Sequence, residues 1–203
     1  TSDQLESYRF QFAALFGGIE QGEQATQWVQ DFARNTGTRI GNVRDAFVQL
    51  KTFGIDPMNG SLQALVDYNA KLGGSQEKLQ GIILAVGQAW GKQKLQGEEI
   101  LQLVERGVPV WDLLAQATGK STAELQKLST AGKLGRDAIA ALVSELGNAA
   151  SGMSEAGLDR LGGQINIVAN NWERFQQLIA DSGLYQTAVQ FLKDLNAEFD
   201  TMA

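Results

Sequence analysis

The sequence contains no cysteine and no histidine. Disulfides, thiol nucleophiles, imidazole acid–base chemistry and the commonest metal ligands are thereby excluded for this chain. Proline occurs only twice, so helices can run with few forced breaks. Long apolar runs are missing too: the longest strongly apolar stretch, Ile82–Val86, is far too short to cross a bilayer. No excess of positive charge is present. With 17 basic and 23 acidic residues the formal net charge is −6, and it is uneven. Residues 1–91 carry 7 basic and 9 acidic groups, residues 92–136 carry 7 and 5, and residues 137–203 carry 3 and 9. A surplus of two positive charges over the centre is an ordinary solvated surface, whereas phosphate-backbone binding needs a concentrated basic face. Specific nucleic-acid binding is not expected. Period-two alternation is absent and β-branched residues are sparse, which removes strands.

What remains is a chain of 203 residues with 23 glycines and an ordinary apolar fraction of 43%, sufficient for a core. It opens on Thr1, which points to a processed product or an excised fragment. The pattern predicts an all-α fold of about ten short to medium helices separated by glycine. Predicted helices cover 3–16, 23–35, 39–53, 61–72, 75–90, 98–106, 109–118, 122–131 and 136–146. The third shows the one-sided spacing well, with Val43, Ala46, Phe47 and Leu50 at i, i+3, i+4 and i+7. Three domains of the chain are expected: a helical core over 1–147, a Gly/Ala/Ser-rich linker over 148–163, and a C-terminal helical hairpin over 164–203 packed on the core. The hairpin comprises predicted helices 164–181 and 185–199.

The stretch 88–134 carries the sharpest punctuation. Gly107 closes one helix, and Val108-Pro109 open the next, since the fixed φ of proline suits a first helical turn. Gly119 closes that helix. Ser121 and Glu124 have the S-x-x-E spacing of a capping box, and Gly132 ends the helix they start.

Over more than forty residues this stretch, GKQKLQGEEILQLVERGVPVWDLLAQATGKSTAELQKLSTAGKL, resembles the conserved domain of phage tail tape measure proteins. Gln102, Leu103, Glu105, Gly107, Val108, Pro109, Leu113, Leu114, Ala115, Gly119, Ser121, Glu124, Leu125, Gly132 and Leu134 carry the resemblance, which extends over about residues 30–185. Lys92-Gln93 depart from it, standing where the family more often has a small residue and a glycine. Val108 replaces a commoner isoleucine conservatively. The resemblance implies a structural, non-enzymatic role in tail assembly, tail-length determination and genome ejection. It also implies the tail-tube protein, tail assembly chaperones and the tail-tip initiator as partners, with a host inner-membrane or immunity protein as a further one. The location implied is the tail lumen of a virion assembled in the bacterial cytoplasm, with the host envelope reached during infection.

No catalytic, cofactor-binding or metal-binding residue is expected, and no cofactor. Glu6-Ser7 and Gly183-Leu184-Tyr185-Gln186 are fragments of a lytic transglycosylase pattern, but nearly the whole chain separates them. Gly152–Ala156 falls one residue short of a nucleophile elbow. Asn59-Gly60-Ser61 matches a glycosylation sequon, which a turn before a helix explains. Glu98, Glu99 and Glu105 read as a solvated helix face, the first two favourable at a helix N-terminus. Trp28, Trp90, Trp111 and Trp172 lie in apolar helical patterns and read as core. Trp111, two residues after Pro109 on a short helix, is the exception, a candidate anchor for a partner. A helical adaptor that uses it is the alternative to the tail role, and a muralytic enzyme is the third and weakest reading.

Overall fold

The computed structural model describes residues 2–157, with side chains to residue 151. Nine α-helices and no strand occur among them. They are α1 (Ser2–Phe16), α2 (Ile19–Thr36), α3 (Ile40–Thr52), α4 (Ser61–Lys71), α5 (Gln76–Lys92), α6 (Gly97–Glu105), α7 (Val110–Thr118), α8 (Thr122–Thr130) and α9 (Arg136–Gly157). A 3-10 turn, Pro57–Asn59, joins α3 to α4. Trp172 and the predicted hairpin over 164–203 lie outside the described residues.

Helices as short as these are marginal in water, so burial of an apolar face supplies most of their stability. The first three build an aromatic centre. Phe47 of α3 is fully buried, and its ring centroid lies 5.0 Å from Phe12, 5.9 Å from Phe16 and 5.6 Å from Trp28. Trp28 in turn stacks on Phe32 at 4.9 Å. Close packing of α1 on α2 depends on Gly22. A Cβ there would stand 2.6 Å from the Ala13 backbone N and 2.7 Å from the Arg9 carbonyl oxygen, so only glycine fits the crossing.

The second half is closed by α9, which packs on α4 and α7. Ala138, Ile139, Leu142, Val143, Leu146 and Ala150 are its buried apolar side chains among the described ones. Around it, α5 lies against α3, α4 and α6, and α7 against α8. The α5–α6 pair is antiparallel: the Arg106 side chain covers Gly81, while Lys92 meets Glu98 and Glu99 at the other end.

Three expectations are corrected. The second helix begins at Ile19, four residues before Glu23, because Gly22 is a packing residue inside a helix and not part of its approach. The ninth does not end at Gly147: α9 runs on to Gly157, so the first part of the Gly/Ala/Ser-rich stretch is helical. The third concerns Glu99, read as solvated; it is 1% exposed, whereas the Glu98 side chain is 73% exposed.

One partly buried acid ties stability to pH. Asp67 of α4 accepts a bond from the Gln63 amide at 2.9 Å, yet burial outweighs that bond and pushes its carboxyl up from 3.8 to about 6. Between those values the folded chain holds a proton that the unfolded chain has released. Stability is therefore fully present below pH 3.8 and declines as pH rises through about 6. Asp67→Asn, which keeps a neutral side chain at every pH, should raise stability at pH 8 by on the order of 2 kcal/mol. Paired urea titrations at pH 8 and pH 4 check this: the gain should vanish at pH 4, and an equal gain at both would refute the assignment.

Candidate functional site: the α6–α8 turn module

The sequence from Gly97 to Gly132 folds into three helices of nine residues each. α6 is turned at Gly107, whose φ is +89°, while the Val108 N–H bonds the Leu103 carbonyl at 2.9 Å. Val108 is fully buried. Pro109 is the N-cap of α7 and not its first helical residue, with its carbonyl accepting from Leu113 N–H at 3.0 Å. Leu114 is fully buried, and its carbonyl accepts the Thr118 hydroxyl at 2.7 Å. Gly119 then takes φ +71° and donates to the Ala115 carbonyl. The capping box of α8 is complete: Glu124 N–H to Ser121 Oγ at 3.2 Å and Ser121 N–H to Glu124 Oε2 at 3.3 Å. Gly132, at φ +71°, precedes a Lys133 N–H bond to the Leu128 carbonyl. The motif residues on this segment thus shape turns and fill core. Glu105 is exposed, and Gln102, partly buried, gives its carbonyl to Arg106 Nη1 at 3.0 Å.

Trp111 is half-buried against the core. Its exposed side, with Gln96, Gly97, Ile100, Gln126, Ser129 and Thr130, lines a shallow cleft of about 380 Å³ between α6, α7 and α8. An indole, an isoleucine and a rim of amides and hydroxyls can seat an apolar side chain and hold a polar neighbour. Sequence reasoning finds Trp111 but misses Ile100, Gln126, Ser129 and Thr130, since only tertiary packing brings α8 beside the start of α6. Trp28 and Trp90 are partly buried against the core.

On the other side of α6, Lys92 Nζ stands 2.5 Å from Glu99 Oε1 and 3.9 Å from Glu98 Oε2. Close contact with the Glu99 carboxylate, and then its charge, holds the Lys92 ammonium above its ordinary range. Both Glu99 oxygens and Gln102 Oε1 lack a well-aligned hydrogen bond within the described structure. Among the described residues no group of three or more Asp and Glu side chains could hold a metal ion. Glu6 lies exposed on α1, and the Gly183–Gln186 fragment falls outside the described residues.

Residues 1–181 match the family described as tape measure protein. The chain belongs to the tape measure protein family. Its relatives include the Mu-like prophage FluMu protein gp42 of Haemophilus influenzae, 40% identical over 206 residues, covering 98% of this chain and 32% of that protein. A probable tape measure protein of Escherichia phage Mu is 25% identical over 176 residues, covering 85% of this chain and 26% of its own. A second probable tape measure protein, of Salmonella phage Felix O1, is 34% identical over 149 residues, covering 69% and 19% respectively. The chain thus spans about a third or less of the length of these relatives. No solved structure matches it.

Proposed function

We propose that this chain is a folded, non-enzymatic module of a phage or prophage tail tape measure protein, serving tail assembly and length determination through its parent and genome ejection through its own fold. The observation that supports the reading is the family match over residues 1–181, joined to a compact helical structure. A segment that measures length must be drawn out: 203 residues as one helix would span about 300 Å. The nine separate helices among the described residues, packed around one core, are poorly suited to that, and suit instead a module that assembles with partners or emerges at delivery.

The tail-tube protein, tail assembly chaperones and tail-tip initiator are the partners proposed in the virion, and a host inner-membrane or immunity protein at infection. The cleft at Trp111 is the proposed docking point, which also keeps the adaptor reading in view. The tail lumen is the proposed location before ejection.

In-frame deletion of this segment from the parent gene tests the reading. Tails imaged by electron microscopy should stay near their normal length while DNA delivery fails. Tails shortened by about 300 Å that still infect would assign the segment to passive measurement and overturn the ejection role.

A further inference from the structure

Among the described residues, eight glycines adopt positive φ, and one other residue does: Gln93, at φ +59°. Side chains other than glycine, asparagine and aspartate seldom occupy this region. Here the left-handed turn separates α5, ending at Lys92, from α6, beginning at Gly97. The four residues between them are Gln93-Lys94-Leu95-Gln96. None is glycine, proline or β-branched, and all four rank among the better helix formers. Local preference therefore favours a helix where the chain makes a bend.

What imposes the bend comes from elsewhere in the fold. Leu95 is buried, its N–H donates to the Leu134 carbonyl at 2.8 Å, and its carbonyl accepts the Ser129 hydroxyl at 2.9 Å. Gln96 Nε2 donates to the Ser129 carbonyl at 3.3 Å. Arg136 Nε caps the end of α5 at the Trp90 carbonyl, 3.0 Å away, with its guanidinium 4.8 Å from the Trp90 ring centroid. All these clamps belong to residues 129–136.

The register of the apolar stripe also carries across the bend. Leu79, Ile83, Val86 and Trp90 before it and Ile100 and Val104 after it fall on one four-three spacing, with Gln93 and Gly97 at the two positions between, so both halves would lie on one face of a continuous helix. Val104, 45% exposed in the bent form, and the half-buried Trp90 would share that stripe.

We propose that residues 93–96 form a two-state joint: bent, as described, and straight, with residues 76–105 as one continuous helix. Release of the 129–136 clamp shifts the population toward the straight state, because only the bent state makes those contacts. The joint is a property of the isolated chain and does not rest on the tail reading.

The absence of cysteine allows clean double labelling. Glu77→Cys and Glu105→Cys place spin labels on exposed positions at the two ends. In the antiparallel bent form the labels are close, and in a continuous helix they stand about 42 Å apart. In this background, Gln93→Val with Ser129→Ala disfavours the left-handed turn and removes one clamp. Pulsed electron paramagnetic resonance should then show a new population near about 42 Å with helical circular dichroism retained. Gln93→Gly should show the short distance alone. A short distance alone in the valine variant, or a broad distribution with lost helicity, would overturn the proposal.

Discussion

Phe47→Ala should destabilise the domain by about 3–5 kcal/mol, a large part of the 5–15 kcal/mol typical of a whole domain. The reason is position as much as size. Phe47 has no exposed surface and touches the rings of Phe12, Phe16 and Trp28, so α1, α2 and α3 all lose contacts through one truncation. Surrounding aromatic rings cannot easily collapse into the vacated volume, which places the cost toward the upper end. Guanidinium unfolding followed by tryptophan fluorescence reads the change, with Trp28 reporting on the site itself. A loss below about 1 kcal/mol would mean that the three-helix aromatic centre is not the anchor described, since ordinary large-to-small core changes exceed it.

Gly22→Ala should destabilise even though alanine is the better helix former. In an open helix the exchange gains about 1 kcal/mol. At Gly22 the new methyl would meet Ala13 N, the Arg9 carbonyl and Ala13 Cα at 2.6, 2.7 and 2.8 Å, all backbone atoms of α1 that cannot rotate away. Overpacking of this kind costs about 1–3 kcal/mol and pushes the two helices apart; a net loss of up to about 2 kcal/mol is expected once the propensity gain of about 1 kcal/mol is subtracted. Gly91→Ala supplies the control, because a Cβ at Gly91 meets nothing within 4 Å. It should be neutral or stabilising by up to about 1 kcal/mol. Thermal unfolding of the pair checks the contrast in sign, and a stabilised Gly22→Ala chain would refute the crossing.

The all-α class was legible because its signals are local. Val43, Ala46, Phe47 and Leu50 announce a buried helix face, and all four are buried. Ser121 and Glu124 announce a capping box, and both of its bonds are present. Ser75, the predicted first residue of the fifth helix, is the N-cap of α5, which begins one residue later at Gln76. What stayed hidden depends on neighbours remote in sequence. Gly22 carries no mark that distinguishes a crossing residue from a helix stop, and Gly147 reads as a terminator although α9 passes through it. Glu99 looks solvated beside Glu98, but the helix turns the two in different directions, and only α5 decides which one is covered. For the candidate cleft, Trp111 was visible as a large ring near a proline, whereas Ser129 enters only because residues 129–134 return to meet Leu95.

The pairing of α4 with α9 sets a timetable for synthesis. Sixty-five positions separate Lys71, the last residue of α4, from Arg136, the first of α9. At about 5–20 residues per second the ribosome needs about 3–13 s to bridge them. Throughout that interval Leu65, nearly fully buried in the finished fold beside Ile139 and Val143 of α9, awaits one of its covering helices. An unfinished chain is therefore a client for any holding factor that recognises apolar helix faces, and its vulnerability ends only when α9 has left the exit tunnel.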